Sequence, residues 1–150
     1  MNPMTTPQQV TLEALEQYAE RCNAHPSLGL FGVKIHFPDL TRLRLRVDSV
    51  SPIMRGGLGD DSIVNGGVLS ALCDALIGCT CGLVDPTSRS ATVQLAIRFE
   101  RPLRGDLIQG EARLDRRTRR LIFSSAELSD ANGDVCVRCQ GIASLLTART

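Results

Sequence analysis

The chain has 150 residues, of which 43% are hydrophobic, enough for one domain that closes a sizeable core. Its seventeen basic and sixteen acidic residues leave a net charge of +1, which provides no global attraction for nucleic acid or for an anionic membrane. An anionic ligand therefore has to be held by a local cluster of charges.

The first ten residues are predicted to form a flexible N-terminal tail, and residues 11–150 a single domain without repeats or linkers. The tail lacks the basic start and the apolar run of a signal peptide. No apolar run is expected to reach membrane-spanning length. These features favour a cytoplasmic protein that binds neither membrane nor nucleic acid.

One helix and two strands are predicted before the middle of the chain. Residues 11–23 carry apolar side chains at helical spacing behind a Thr11 cap, which indicates an amphipathic helix. Strands are predicted at residues 31–37 and 41–50, and the second alternates arginine with leucine or valine as half-buried antiparallel strands do. The glycine-rich residues 51–64 are predicted to be a loop.

A central helix is predicted over Gly66–Leu83, and it carries a single carboxylate. Asp74 lies on a stripe of mostly small residues, opposite a stripe of large aliphatic ones. Burying an unpaired charge costs several kcal/mol. Asp74 is therefore expected to be partly buried in a seam against another backbone or a ligand, with an ordinary solvent-facing position as the alternative.

After the helix the sequence pattern is purely β. Strands are predicted at residues 92–100, 107–115, 121–129 and 135–146. The turn between the second and third of them carries four arginines, namely Arg116, Arg117, Arg119 and Arg120. The predicted fold class is therefore α+β, with two early strands, one long helix and four successive antiparallel strands.

The glycine pair Gly66 and Gly67 at the start of the helix forms a candidate site together with Asp74. A helix N-terminus presents unpaired N–H groups, and glycine lets a carbonyl or phosphate come close to them. Asp74 lies about 12 Å further along the axis at about 1.5 Å per residue, which is too far for both groups to act on one atom. A symmetric dimer resolves this, because the glycine end of one helix can meet the carboxylate of its partner.

The six cysteines indicate no metal site. Cys136 and Cys139 have the spacing of a zinc or redox pair, but no second pair or nearby histidine accompanies them. Residues three apart on a strand also point to opposite faces. Buried reduced thiols are therefore predicted.

Asn65-Gly66-Gly67, Asp74 and the strand that ends at Pro102 together resemble the hotdog-fold acyl-CoA thioesterases of the phenylacetyl-CoA and 4-hydroxybenzoyl-CoA type. In that family a His-Gly-Gly motif opens the central helix, and an Asp or Glu follows nine residues after the His, as Asp74 follows Asn65. The resemblance runs from the first predicted strand to the last. It implies a sheet of about six antiparallel strands wrapped around the central helix, and a homodimer or a homotetramer built as a dimer of dimers.

The resemblance also implies hydrolysis of an acyl-CoA thioester at the dimer interface, with a role for each matched residue. Gly66 gives the N–H that polarises the thioester carbonyl, Gly67 keeps the approach open, and Asp74 is the general base or the nucleophile. Thr92 matches a Ser or Thr that holds the water or the carboxylate, with a simple strand-start residue as the alternative. No cofactor is implied, because CoA is part of the substrate.

Two positions depart from the family pattern. Asn65 replaces the motif His; it can hold the loop by hydrogen bonds but cannot titrate near neutral pH. Gly59 replaces an Asn or Gln that in many members helps to bind the carbonyl or the water. Asp60, Asp61 or Ser62 are the candidates to substitute for it through a shifted loop.

The arginine turn is the candidate for holding a CoA phosphate, since family members often surround the nucleotide end of CoA with basic residues. A turn whose arginines are only solvated is the alternative.

The aromatic content of 3% leaves few side chains to stack on an aryl group. It therefore favours an aliphatic acyl group.

Three alternatives compete with thioester hydrolysis by Asp74. A non-catalytic hotdog module that binds acyl-CoA as a sensor or scaffold fits Gly59 and the missing His. A dehydratase needs an active-site His, and His25 and His36 both lie off the central helix. A Cys73 nucleophile has no evident histidine partner.

Overall fold

The computed structural model describes residues 9–57 and 59–146. Most of the predicted tail, residues 1–8, lies outside the described residues, as do residues 147–150. The elements in chain order are α1 (Leu12–Asn23), α2 (Pro26–Gly29), β1 (Val33–His36), β2 (Arg42–Val47), β3 (Arg55–Gly57), β4 (Asp60–Val64), α3 (Gly66–Cys79), β5 (Arg89–Phe99), β6 (Ile108–Arg117), β7 (Leu121–Ser129) and β8 (Val135–Leu146).

Six strands form one antiparallel sheet in the order β1-β2-β6-β7-β8-β5. Alternating side chains explain the two-faced sheet: β2 buries its leucines and valine and exposes or half-exposes its arginines, and β7 alternates buried with half-buried residues throughout. The sheet wraps around α3, so the predicted α+β hotdog architecture with an added N-terminal helix is confirmed. Strand β5, which follows the central helix, lies at one edge of the sheet.

The core lies between α3 and the inner face of the sheet. Leu69, Leu72 and Leu76 on α3 are buried, as the aliphatic stripe predicts. Ile77 lies three residues after Asp74, about 60° away around the helix, and is nonetheless fully buried. Gly141 on β8 makes this possible, because a Cβ there would lie 2.6 Å from a methyl carbon of Ile77.

The helical segment from α3 through a short 3-10 turn, Gly66–Leu83, has 18 residues and is apolar enough to cross a membrane by length and composition alone. The expectation that no apolar run reaches this length is therefore wrong. Half of the segment is buried inside the fold, where its aliphatic side chains pack against the sheet. Enclosure by the sheet accounts for its apolar composition.

The predicted loop at residues 51–64 is wrong in detail, because it contains a 3-10 turn at Pro52–Met54 and the hairpin β3–β4. Gly56 and Gly59 have φ angles of 107° and 93°, a region that side-chain-bearing residues rarely adopt. These two glycines let a short, irregular hairpin form immediately before α3.

The arginine turn is also shorter than predicted. Strand β6 continues to Arg117 through a bulge after Leu114, so Arg116 and Arg117 are strand residues. Only Arg119 and Arg120 lie at the tip between β6 and β7.

The N-terminal helix matches its prediction. Thr11 caps α1, and its hydroxyl accepts the backbone N–H of Ala14 at 3.1 Å. Val10, which was assigned to the tail, packs against the core.

Candidate functional site

Asn65 caps α3 and ties its first turn to the preceding hairpin. Its side-chain oxygen accepts the Gly67 N–H at 2.8 Å, and its side-chain nitrogen donates to the Gly56 carbonyl at 2.8 Å. Its backbone N–H donates to the Met54 carbonyl at 2.8 Å. The amide therefore holds this turn rigidly without carrying an ionisable group.

Gly66, the first residue of α3, is exposed. Its N–H has no acceptor among the residues that the structure describes, whereas the Gly67 N–H is occupied by Asn65. The helix dipole adds partial positive charge at this end. Gly66 thus presents one fixed, unoccupied donor to solvent.

Gly67 leaves room for the cap. A Cβ at this position would lie 3.0 Å from the side-chain oxygen of Asn65, tighter than most Cβ contacts. A larger residue would require the Asn65 side chain to shift by a few tenths of an ångström.

The β3–β4 hairpin beside this donor carries three polar candidates. Asp60 accepts the Ser62 N–H at 2.9 Å and its hydroxyl at 2.6 Å, and it pairs with Arg104 at 3.0 Å. The Ser62 hydrogen bonds, followed by Arg104, lower the pKa of Asp60 to about 2. Asp60 and Ser62 are therefore committed to holding the hairpin.

Asp61 is the remaining candidate to replace the missing family amide. It is exposed and makes no hydrogen bond or ion pair within the described part of the chain. One carboxylate oxygen lies 3.5 Å from the place where a Cβ on Gly56 would be. Since the Gly56 carbonyl binds Asn65, this oxygen lies near the start of α3. Gly59 is an exposed turn residue with open space around it.

Asp74 is exposed in the single chain, so the expected partial burial is not present there. It lies one turn before Gly78 on the same stripe of α3. A Cβ on Gly78 would lie 3.7 and 3.8 Å from the hydroxyl oxygens of Ser90 and Thr92, and Ser90 donates to the Gly78 carbonyl at 2.8 Å. These are ordinary contact distances, so the packing here does not require a glycine at position 78, and Ser90 and Thr92 of β5 lie beside this part of α3.

The two ends of α3 contact opposite ends of β5. A Cβ on Gly66 would lie 3.6 Å from the ring of Phe99, the last residue of β5, whereas Gly78 lies beside Ser90 near its start. Helix and strand therefore run antiparallel. Gly66 and Asp74 stay about 12 Å apart along α3, and one chain does not bring them together.

Strand β5 leaves one edge free in the single chain. It has 11 residues, and Val93 and Phe99 on it are 63% and 53% exposed. A long edge strand with exposed apolar side chains is a ready template for pairing with another strand. The site residues on α3 lie alongside this edge.

Four arginines on or beside the β6–β7 turn carry uncompensated charge. Arg116 lies over the ring of Phe123 at 5.3 Å. None of the four has a carboxylate within ion-pair distance among the described residues, in contrast to eight other arginines that are paired: Arg42, Arg44, Arg46, Arg55, Arg98, Arg104, Arg113 and Arg138.

Strand register places this arginine cluster far from Gly66 in the same chain. Leu121, just after the turn, is opposite Ser144 of β8, which is opposite Ala91 of β5. Phe99 beside Gly66 is eight residues further along β5, or about 26 Å at about 3.3 Å per residue. The cluster and Gly66 therefore lie at opposite ends of the sheet.

A cavity of about 350 Å³ on the outer face of the sheet is not part of this site. Glu111, Glu127 and Arg138 are among its lining residues, and Arg138 pairs with Glu127 at 2.6 Å. Its charged side chains are ion-paired with one another or with neighbouring residues, and it lies on the face of the sheet away from α3.

The cysteines do not contribute a nucleophile beside Asp74. Cys73 is fully buried, and a hydrogen bond with Cys139 together with burial raises the pKa of its thiol. A hydrogen bond with Cys79 lowers the pKa of Cys22 to about 7, but Cys22 lies on α1. All six cysteines are free.

Two residues at this site were missed by the sequence reasoning. Gly56 receives the Asn65 side chain, and Phe99 lies against Gly66. The alternation of side chains along β5 could have indicated Phe99, because Phe99 faces the same side of the strand as Leu95 and Ile97. Nothing in the sequence distinguishes Gly56 from the neighbouring glycines.

The span that carries α3 and β5 matches a known family. The family model of the thioesterase superfamily matches residues 61–137, more than half of the chain. The chain belongs to the thioesterase superfamily. A comparison of this superfamily member with curated protein sequences found no match.

Solved structures of other superfamily members share its fold. A thioesterase family protein from Silicibacter pomeroyi aligns with a TM-score of 0.78 and 16% identity over 89% of this chain and 99% of that one. The PaaI protein of the phenylacetic acid degradation operon of E. coli gives 0.78 and 16% over 91% and 96%. The BH2602 protein from Bacillus halodurans, whose structure contains CoA, gives 0.73 and 19% over 91% and 89%. At these identities the likeness establishes the hotdog fold.

Proposed function

We propose that this protein hydrolyses an acyl-CoA thioester to the free acid and CoA at a site shared by two subunits. The observation that carries the proposal is the unoccupied N–H of Gly66 at the start of the central helix of a thioesterase-superfamily chain. A donor fixed at a helix N-terminus is suited to the oxyanion that forms when a thioester is attacked. The CoA bound to the related protein from B. halodurans supports CoA as the leaving group.

The proposed assembly pairs β5 with β5 of a second copy. Because α3 runs antiparallel to β5, antiparallel pairing of the two edges reverses the partner's helix and brings the partner subunit's Asp74 toward Gly66. Pairing also covers the exposed Val93 side chain. A homodimer is the minimum unit in this proposal, and two such dimers give the homotetramer.

In this mechanism the thioester oxygen accepts the Gly66 N–H, while Gly59 and Gly67 leave the approach open. Asp74 either takes a proton from water, which adds to the carbonyl carbon, or attacks that carbon itself to give an anhydride that water then cleaves. The C–S bond breaks in both routes. Because the leaving thiol has a pKa of about 8.5, no strong general acid is needed.

Asp61 and Thr92 have supporting roles in the proposal. The free carboxylate of Asp61 accepts a hydrogen bond from the attacking water, in place of the family amide that Gly59 lacks. The Thr92 hydroxyl orients the carboxylate of Asp74 from the neighbouring strand. Asn65 holds the turn so that the Gly66 donor stays fixed, and no cofactor takes part.

A non-catalytic acyl-CoA-binding module is the second candidate, favoured by the absence of a titrating group at Asn65 and of an amide at Gly59. A panel of straight-chain, branched and aryl acyl-CoA substrates separates the two functions. Hydrolysis is expected to release free thiol with saturable kinetics for at least one of them. Saturable binding across the panel without thiol release would instead establish the binding module.

The arginine cluster is proposed to bind the CoA phosphates of the partner's active site. In the proposed dimer the partner subunit's cluster lies at the Gly66 end, about three strand spacings or 14 Å away at about 4.8 Å each. Arg119→Ala with Arg120→Ala is expected to raise KM for acyl-CoA about tenfold, through loss of charge-assisted hydrogen bonds.

Dephospho-CoA thioesters provide the check on this prediction. On these substrates, which lack the 3′-phosphate, the KM of the double variant should differ little from that of the wild type. Arg46→Ala serves as the matched control. Arg46 is also exposed, but it is ion-paired with Asp48, and it lies on β2, toward the edge of the sheet opposite β5. An unchanged KM in the double variant would assign the cluster to solvation.

A further inference from the structure

Phe99 is a half-exposed aromatic side chain beside the free donor of Gly66. Two of its ring carbons lie 3.6 and 3.7 Å from the place where a Cβ on Gly66 would be. The side chain is nonetheless 53% exposed, because Phe99 is the last residue of the edge strand. The ring therefore borders the start of α3 within van der Waals distance of the open side of Gly66.

Strand alternation explains why this ring faces the helix. Ala96 and Arg98 are exposed, whereas Leu95 and Ile97 are half-buried, so Leu95, Ile97 and Phe99 occupy the inward register of β5. Leu95 and Ile97 pack against the core. Phe99 continues the same row past the end of the core, where the ring borders the site rather than filling the interior.

We propose that Phe99 determines acyl-group specificity by packing against the carbon atom next to the thioester carbonyl. This rests on the proposed function, in which the carbonyl oxygen accepts the Gly66 N–H at about 2.9 Å. The carbonyl carbon bears the sulfur on one side and the acyl chain on the other. The pantetheine arm on the sulfur carries amide groups, which lose hydrogen bonds to water when they pack against an aromatic ring.

The acyl chain is therefore the substituent that lies along the Phe99 ring. A straight apolar chain gains contact with the ring. A methyl branch on the first carbon of the chain meets the ring edge instead and displaces the carbonyl from the Gly66 donor. The protein thus selects apolar acyl groups that are unbranched next to the carbonyl.

The test compares a straight-chain acyl-CoA with its 2-methyl derivative, at the chain length that the wild type hydrolyses fastest. The wild type should favour the straight chain in kcat/KM. Phe99→Ala is expected to shift the ratio toward the branched substrate by about 10-fold or more, and Phe99→Leu by less in the same direction. Leu30→Ala, at a residue that is 71% exposed next to α2, should leave the ratio unchanged.

The outcomes separate this proposal from the proposed function. An unchanged ratio in both folded Phe99 variants overturns the specificity role and leaves hydrolysis intact. Equal loss on both substrates, with dissociation into monomers on gel filtration, assigns Phe99 to subunit packing and also overturns it. Absence of thiol release by the wild type across the whole panel refutes both.

Discussion

Gly66→Pro is expected to lower kcat by about 10²–10³-fold while the protein remains folded. Proline removes the one N–H that the proposed mechanism uses, and loss of a single oxyanion donor costs about this much. The fold tolerates it for two reasons. Proline is favoured at the first position of a helix, and Asn65 already has φ −60° and ψ 136°, which suit the residue before a proline.

Gly66→Ala is the matched control for this substitution. It keeps the N–H, and its Cβ would lie at an ordinary contact distance of 3.6 Å from the Phe99 ring. Steady-state kinetics and thermal melting of both variants are the measurements. If Gly66→Pro melts like the wild type and keeps its kcat, the Gly66 N–H is not the oxyanion donor.

Asp74→Ala is expected to lower kcat by about 10²–10⁴-fold, the range for loss of a positioned general base. The structure gives no reason for instability, since Asp74 is exposed and its side chain makes no ion pair among the described residues. Asp74→Asn keeps the shape of the side chain and should be equally impaired. Full activity of Asp74→Asn would remove the carboxylate from the mechanism.

Mixing two inactive variants tests whether the site is shared. In a dimer of Asp74→Ala with Gly66→Pro chains, one site has both substitutions and the other has an intact Gly66 and an intact Asp74. Random reassociation should restore about a quarter of wild-type activity, because half of the dimers are mixed and each has one intact site. A site contained in one chain predicts no recovery after mixing, which is the contrary result.

Local side-chain patterns predicted the strands and helices well because each has a clear period. Strand β7 and strand β8 have the predicted bounds, since their alternation is bounded by turn residues on both sides. The β3–β4 hairpin was missed because its glycines have no side chains to alternate. Its conformation depends on positive φ angles and on the Asn65 amide that anchors it.

The candidate site could be predicted only in part from the sequence. The helix start and its spacing to Asp74 were visible as a motif. The sequence did not show that Asp61, rather than Asp60 or Ser62, is the available group. That depends on the ion pair that Arg104 forms with Asp60 in the folded chain. The burial of Asp74 was expected from the apolar helix around it, yet one chain leaves it exposed because the sheet ends at β5.

The two edges of the sheet are very unequal, with four residues in β1 and eleven in β5. A chain that reaches its working form only by pairing the longer edge loses turnover on dilution, and its rate then rises more steeply than linearly with protein concentration. The same edge is an aggregation hazard while it is unpaired. Solubility and turnover should consequently decline together in variants that disturb β5, so that poor expression and poor catalysis have one physical origin.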